Sequence, residues 1–203
     1  MSTKEPKINE TRKRVLDVAA RQFRANGYSG VGLRGIAEEA GLKAGSLYYH
    51  FSSKDEIVTE VLNIGIRLVH KAVEEAVAQS RAEGSSAELT LREAVKAHLS
   101  AFLEWSDYTS ANIRIFGQLP ESVRMVNVQA RSDYEHLWDS VFERFVTDGY
   151  VLDDKSRRTA RLFLLGAMNA SVEWFNPQQG NIEVLADQYS QLILHGLLPE
   201  GDK

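Results

Sequence analysis

The segment GLKAGSLYYHF, residues 41–51, places three small residues shortly before a run of rings. Leu47 and Phe51 are four residues apart, so on a helix they share one face and can pack against the rest of a small domain. Residues 48–50 then face outward, because the inward face is already occupied. The alternative is that the whole run is aromatic core, but four consecutive bulky residues cannot all point inward from one helix.

Two helical patterns precede this segment. Apolar residues in 15–23 form one helical stripe that ends before Gly27, and residues 33–40 form a shorter stripe closed by Gly41. Two helices that meet through a tight turn, the second short and carrying exposed polar rings, are the layout of a helix-turn-helix, whose second helix lies in the major groove of DNA. Small side chains at its start let the backbone approach the duplex closely.

The charge is distributed unevenly along the chain. Residues 1–54 contain ten Lys and Arg against five Asp and Glu, whereas the remaining residues contain 14 against 23, within a whole-chain net charge of −4. A basic head on an acidic body suggests that the head meets a polyanion. A solvated, lysine-rich helix face explains the same charges, and the two interpretations stay open on charge alone.

Several protein classes are excluded by composition. The chain has no cysteine, which rules out disulfides, thiolate catalysis and sulfur-based zinc sites and makes a reducing cytoplasm the expected compartment. The first 14 residues lack the apolar segment of a signal peptide. The apolar run at 162–168 is far shorter than the roughly 20 residues that span a bilayer. We therefore expect neither export nor a membrane span.

Further helix signals follow the segment. SKDE, residues 53–56, predicts a capping box at the start of a long helix that ends near residue 84, and TLRE, residues 90–93, predicts a second one. Pro120 fits the first turn of a helix that continues to Gly149.

The C-terminal third predicts two more helices. Asp153 or Asp154 can cap one that runs to about Phe175, and after the NPQQGN break a last amphipathic helix covers about Ile182 to His195. The fold class is all-α, with about nine helices in two or more packed layers and no sheet.

The stretch AARQFRANGYSGVGLRGIAEEAGLKAGSLYYHFSSKDEI, Ala19 to Ile57, resembles the TetR regulators, named for the tetracycline repressor. The resemblance covers the first three helices and the start of the fourth. The remainder is similar to the family in length, all-helical pattern and helix count, and some members share an ending like Trp174-Phe175-Asn176-Pro177.

The resemblance implies a domain organisation and a function. Residues 1–54 correspond to a helix-turn-helix DNA-binding domain, and residues 55–203 to a helical effector-binding and dimerisation domain. A homodimer would dock two heads on a palindromic operator, and a small molecule bound in the body would change their spacing and release the DNA. We therefore expect a repressor with an apolar or aromatic effector. A ligand-responsive activator and an architectural DNA binder without an effector remain alternatives.

The resemblance also assigns DNA contacts, position by position. Arg34 and Tyr49 are the candidates for contacts with base edges. Contacts of this kind carry the sequence information. The candidates for phosphate contacts and close backbone approach are Lys43, Ala44, Gly45, Ser46, Tyr48, His50 and Lys54. At Ala44 the chain departs from the tetracycline repressor, which has a long polar residue there, so only methyl contact remains at that position. Lys43 could compensate, or it could simply be solvated.

The last two helices predict the dimer interface. Their mixture of large and small side chains suits a four-helix bundle with closed two-fold symmetry. The residues are Leu162, Leu165, Gly166, Ala170, Tyr189, Leu192 and Ile193. Ordinary core packing within one chain is the alternative.

Large rings and a few polar groups in the body predict the effector site, because helical bundles place ligands between their helices. The candidates are Trp105, Phe116, Tyr134, Trp138, Asn169, Glu173 and Trp174, with His98 as a further polar anchor. Core packing is the competing explanation for most of these rings. The sequence shows no arginine cluster for a phosphate or coenzyme A group, so an acyl-coenzyme A effector has no support at this point.

An enzyme is the competing class. The five histidines are widely separated, and the sequence contains no phosphate-binding glycine loop, no G-x-S-x-G and no HExxH. We therefore predict no catalytic residue, no metal site and no cofactor.

Overall fold

The computed structural model describes residues 4–150, 153–176 and 178–197, and the side chains of the same residues except 4–8, 105 and 197. These residues form ten α-helices and one short π-helical segment, and no strand occurs among them. The predicted all-α class is confirmed. The chain divides into a first unit, residues 1–66 and 106–130, and a second unit, residues 67–105 and 131–203.

The first unit contains three N-terminal helices, the start of a long one and two short ones. They are α1 (Lys4–Asn26), α2 (Leu33–Glu39), α3 (Ala44–His50), the first part of α4 (Lys54–Ala82), α6 (Asp107–Phe116) and α7 (Glu121–Val126). Gly27 and Gly41, predicted to end the first two helices, have φ of 70° and 68°. This left-handed conformation is one that glycine adopts without strain.

One apolar core holds the first unit together. Phe23, Ile36, Leu47 and Phe51 are buried in it, and the segment 106–130 adds a second group of buried side chains. That group is Ala111, Ile115, Leu119 and Val123. The core therefore extends beyond the predicted domain of residues 1–54, and the division at residue 54 stays a prediction.

The start of α4 has half of the predicted capping box. The Ser53 hydroxyl accepts a hydrogen bond of 3.1 Å from the Glu56 backbone N–H, as expected of an N-cap. The Glu56 carboxylate, however, accepts from the N–H and the hydroxyl of Ser52, at 2.7 and 2.8 Å. Glu56 thus fixes the chain one residue before the N-cap.

Helices α4 and α6 approach closely inside the first unit. The Asn112 side-chain amide donates a 2.8 Å hydrogen bond to the Leu62 carbonyl in the middle of α4. A Cβ placed on Gly65 would lie 2.5 Å from the Tyr108 carbonyl oxygen. Only glycine fits at this position without moving the backbone of α6.

The second unit contains the rest of α4 and four further elements. They are α5 (Ala87–Ser100), the π-helical segment (Ala101–Trp105), α8 (Val128–Thr147) from Arg131 onward, α9 (Asp154–Trp174) and α10 (Ile182–Leu197). Asp153 caps α9 by accepting a 2.7 Å hydrogen bond from the Ser156 N–H, which confirms that prediction.

One predicted helix start and one predicted helix extent are wrong. The N-cap of α5 is Ser86, whose hydroxyl accepts from the Leu89 N–H at 3.3 Å, so TLRE lies inside the helix. The Thr90 hydroxyl contacts Ser80 instead, at 3.0 Å. The helix predicted from Pro120 to Gly149 is two helices, because the chain breaks at Asn127 between α7 and α8.

The second unit also has its own core. Buried side chains of α5, α8 and α9 form it, among them Leu91, Leu99, Trp138, Phe142, Leu164 and Met168. Across its surface, α5 and α10 are joined by two ion pairs, Arg92 with Asp187 and Lys96 with Glu183. Exposed pairs of this kind contribute little stability, so apolar packing dominates.

Candidate DNA-binding surface and effector site

Helix α3 exposes two of the three rings that the sequence predicts to face outward. Leu47 and Phe51 are each 1% exposed and pack into the first unit's core. Tyr48 and Tyr49 are 59% and 72% exposed. His50 is half-buried and lies edge-on to the Tyr49 ring, with centroids 5.2 Å apart. Two phenols are therefore available on the outer face of a short helix that is anchored by two apolar side chains.

The residues around this helix leave its front open. Arg34 and Lys43 are exposed, and so are Ala44, Gly45 and Ser46 at the first turn. A Cβ added at Gly45 would meet nothing within 4 Å. Packing within the chain therefore does not require glycine at this position. Close approach by an external molecule would explain the glycine instead.

Lys54 is engaged within the protein. Its amino group donates a 2.6 Å hydrogen bond to the Tyr28 carbonyl and lies 3.8 Å from the centroid of the Tyr28 ring. Burial lowers the pKa of this lysine, and the neighbouring Asp55 opposes the effect. Sequence reasoning did not foresee this internal contact, since residues 28 and 54 are far apart in the chain.

Two of the predicted effector residues lie together in the second unit. Tyr134 and Trp138, both on α8, are buried with ring centroids 6.3 Å apart. The Tyr134 hydroxyl lies 2.7 Å from Nδ1 of His98, on α5. The centroid of the Phe102 ring lies 4.5 Å from the centroid of the His98 imidazole. We call His98, Phe102, Tyr134 and Trp138 the buried ring cluster.

The His98 and Tyr134 side chains of this cluster are buried and neutral. Burial lowers the pKa of His98 to about 3, and Asn169 beside the imidazole opposes this effect. Burial raises the pKa of Tyr134, and a contact from Trp138 opposes it. Both side chains are therefore uncharged at neutral pH. A polar but neutral ligand group suits such surroundings better than a charged one.

The other predicted effector residues are not in this cluster. Asn169 is beside His98, whereas Glu173 and Trp174 are exposed near the end of α9. Phe116 packs against the core of the first unit. The side chain of Trp105 lies outside the described residues. Phe102 was missed, although its spacing of four from His98 places both on one helix face.

Most of the predicted interface residues lie on open faces of α9 and α10. Leu162 and Leu192 are 54% and 65% exposed, Gly166 and Ala170 are exposed, and Leu165 is half-buried. Phe163, which was not predicted, is 63% exposed.

The two remaining interface predictions differ in burial. Ile193 is buried within the chain, so here the intrachain alternative fits better. Tyr189 is half-buried, and its hydroxyl contacts the Ser171 hydroxyl at 2.8 Å and donates to the Ala167 carbonyl at 3.1 Å.

An arginine cluster that the sequence did not reveal lies between α8 and α9. A cleft of about 260 Å³ is lined by Arg157, Arg158 and Arg161 together with Asp139, Glu143 and Asp154. Arg161 is paired with Glu135 at 2.5 Å and with Asp139 at 2.8 Å. The cleft is thus balanced in charge and does not form a simple anion site.

Two negative findings concern the described residues alone. No helix there combines the length and apolar character needed to cross a bilayer. No group of three or more histidine and carboxylate side chains there could hold a metal ion.

Comparisons with known proteins agree with this architecture. The family model "Bacterial regulatory proteins, tetR family" matches residues 15–61, and "Tetracyclin repressor-like, C-terminal domain" matches residues 83–197. The transcriptional repressor KstR2 of Rhodococcus jostii (strain RHA1) is 32% identical over 193 residues, which cover 92% of this chain and 90% of the relative.

Solved structures show the same fold. The TetR family regulator PfmR of Thermus thermophilus is 28% identical with a TM-score of 0.75, covering 91% of this chain and 98% of PfmR. FadR of Bacillus subtilis, solved in complex with stearoyl-CoA, is 20% identical with a TM-score of 0.74, covering 91% of this chain and 98% of FadR. The chain therefore belongs to the TetR family of bacterial regulatory proteins, which are transcriptional regulators and not enzymes.

Proposed function

We propose that this chain is a homodimeric repressor that binds a palindromic operator and is released from it by a small effector. The observation that carries the proposal is α3, with Tyr48 and Tyr49 exposed on a helix anchored by Leu47 and Phe51. Its KstR2 relative is named a repressor, which favours repression over activation. The DNA that it binds would place it in the cytoplasm.

The DNA contacts divide into two roles. Arg34 and Tyr49 read base edges, whereas Ser46, Tyr48 and His50 hold phosphates and fix the register. Lys43 adds a cation, and Ala44 and Gly45 allow close backbone approach. Lys54 acts as a phosphate contact only if its amino group exchanges the Tyr28 carbonyl for a phosphate oxygen.

DNA binding is tested on a duplex selected from a random pool by the wild-type protein, with mixed-sequence DNA as the competitor. Tyr49→Ala should lower affinity for the selected duplex more than for mixed DNA, because a base contact carries specificity. Tyr48→Phe should weaken both equally. Lys71→Ala, an exposed lysine in the second unit, is the matched control. If Tyr48→Ala and Lys54→Ala both bound like wild type, the assignment would be wrong.

Dimerisation rests on the apolar face of α9 and α10. Leu162, Phe163 and Leu192 are each more than half exposed, and a group of exposed large apolar side chains is typical of an interaction surface. Leu192→Lys should convert the protein to a monomer in sedimentation at micromolar concentration. Val146→Lys, at another exposed apolar position, should not. A wild-type monomer would refute the dimer.

The effector is proposed to be apolar or aromatic and to reach the buried ring cluster of the second unit. The cluster's neutral polar groups can bind a carbonyl or hydroxyl oxygen, and its rings can contact a hydrophobic body. Thermal shift against a panel of steroids, aromatic acids and acyl-coenzyme A thioesters tests this proposal. Stearoyl-CoA belongs in the panel because it occupies FadR, which has the same fold.

The alternatives separate in the same experiments. A compound that raises the unfolding temperature should also release the selected duplex from a ligand-responsive regulator. An architectural binder would hold DNA regardless of every compound. Repressor and activator differ in the location of the operator, so mapping bound genomic fragments relative to promoters distinguishes them.

A further inference from the structure

The Arg12 side chain joins three helices of the first unit. From α1, one terminal nitrogen donates to the backbone carbonyl of His50, the last residue of α3. The other terminal nitrogen bonds to Glu56, at 3.0 Å, and to Glu60, both on α4. The guanidinium also lies 4.1 Å from the centroid of the Phe51 ring. We call this set of contacts the Arg12 clamp.

Helix α3 needs an external support of this kind. It has seven residues, and its N-cap, Lys43, makes no side-chain capping hydrogen bond. A helix this short is unstable alone, and its last carbonyls lack partners within the helix. A guanidinium on the His50 carbonyl satisfies one of them and places a cation at the negative end of the helix dipole.

The α4 side of the clamp is itself fixed. Glu56 accepts hydrogen bonds from the N–H and the hydroxyl of Ser52, so its carboxylate is held from two directions. Arg12, Glu56 and Glu60 are each about one-third exposed as side chains. Partial burial strengthens such charge-assisted bonds relative to those of a surface pair.

The contacts depend on the shape of the guanidinium. One terminal nitrogen donates a hydrogen bond to α3 and the other donates to α4, while the flat face of the guanidinium lies over the Phe51 ring. A lysine ammonium at the same place would be a point charge without the fork or the stacking plane. The position thus requires arginine for geometry as well as for charge.

We propose that Arg12 is a positioning residue for DNA recognition. It fixes the position of α3 relative to α1 and α4 without itself contacting the duplex. The proposal rests on the DNA-binding surface proposed above. If Arg12 positions α3, the contacts of Tyr48 and Tyr49 with DNA depend on two carboxylates, Glu56 and Glu60, that bind no DNA themselves.

The decisive variant is Glu60→Gln. Removing a negative charge from a DNA-binding unit should raise DNA affinity if simple electrostatics dominates. The Arg12 clamp predicts the opposite, because a weakened hold on the guanidinium loosens α3. We expect Glu60→Gln to lower affinity for the selected duplex by about fivefold, as for weakening one hydrogen bond, and Arg12→Ala by about twentyfold, as for losing a charge-assisted one. Affinity for mixed-sequence DNA should change less.

Three further measurements make the result specific. Arg12→Lys should recover less than half of the loss in log affinity, since it restores charge without geometry. The Arg12→Ala,Glu60→Gln double variant should bind like Arg12→Ala alone, because the two residues act through one contact. The slope of log affinity against log salt should stay at the wild-type value in Arg12→Ala. In Arg14→Ala, which deletes a neighbouring exposed charge, the slope falls if that charge meets a phosphate.

The outcomes separate the inference from the proposed function. Wild-type protein that selects no duplex refutes the DNA-binding surface itself. Wild-type binding with unchanged or higher affinity in Glu60→Gln overturns the positioning role alone. Arg12→Lys that binds like wild type overturns it as well. Circular dichroism and thermal unfolding of Glu60→Gln, a substitution of equal size, should match the wild type, so that a loss of binding reports on α3 and not on global unfolding.

Discussion

The Tyr108 hydroxyl, on α6, donates a 2.8 Å hydrogen bond to a carboxylate oxygen of Asp17, on α1. Arg24 and Asp107 form a second link of 2.7 Å between the same two helices. Burial and the bond to Asp17 raise the pKa of Tyr108. Helix α6 is therefore joined to α1, which carries Arg12, through the half-buried Tyr108–Asp17 hydrogen bond and the Arg24–Asp107 ion pair.

Replacing Tyr108 by Phe should weaken this fastening. The substitution keeps the ring and removes the donor to Asp17, and such a loss costs about 1–2 kcal/mol of unfolding free energy. Because the folded pKa is raised, the stabilisation is fully present below the ordinary tyrosine value of about 10 and is lost as pH rises above it. Urea unfolding at pH 7 and pH 10.5 measures both effects. Tyr150→Phe removes a part-buried bond to Glu88 at a hydroxyl that is less buried than that of Tyr108, so it should have a smaller effect.

Gly65→Ala should destabilise the first unit. The added methyl would lie 2.5 Å from the Tyr108 carbonyl, and α6 would have to move to admit it. Overpacking of this kind costs about 1–3 kcal/mol. Gly35→Ala, in α2, is the control, since its methyl would come no closer than 3.8 Å to the end of the Gln22 side chain. A Gly65→Ala protein as stable as wild type in urea would contradict the close approach.

Gly45→Ala should separate folding from DNA binding. No atom lies within 4 Å of the added methyl, and alanine favours the helix by up to about 1 kcal/mol over glycine. The variant should therefore be as stable as wild type or more so. Its affinity for the selected duplex should nevertheless fall, because on the proposed DNA-binding surface the methyl would keep the backbone away from DNA. Unchanged affinity would show that the duplex does not approach Gly45.

His98 should make the protein sensitive to acid. Its pKa is about 3 in the fold and about 6.5 when unfolded, so the unfolded chain takes up a proton that the native one does not. Stability is complete above pH 6.5 and falls by about 1.4 kcal/mol per pH unit as pH drops toward the folded value.

Denaturant unfolding at pH 6.5 and pH 4.5 checks this prediction. His98→Gln should be less stable at pH 6.5 but lose less stability on acidification. His136→Gln, at an exposed position, should keep the wild-type pH dependence. Equal pH slopes in wild type and His98→Gln would contradict the burial of a neutral imidazole.

The three N-terminal helices could be predicted from sequence because the sequence patterns that define them are local. The glycines at 27 and 41, the spacing of Leu47 and Phe51, and the exposure of Tyr48 all follow from residues within one turn of each other. Helix periodicity fixes such faces without knowledge of the tertiary structure.

What sequence reasoning missed depends on contacts between distant residues. The Lys54 contact with Tyr28 and the position of Phe116 in the first unit's core arise from tertiary packing. The TLRE motif resembles a cap, but Ser86, four residues earlier, already provides one. Local motifs of equal quality compete, and packing of the helix that follows decides between them.

The shared core of the first unit limits how the protein can be cut. Ala111, Ile115, Leu119 and Val123 pack with the N-terminal helices, although residues 67–105 of the second unit separate them from the start of α4 in the chain. A fragment truncated at Ile66 would expose the apolar surface that these side chains cover. The N-terminal helices are therefore not an independently folding module, and expression of residues 1–66 alone should yield an aggregating or unfolded product.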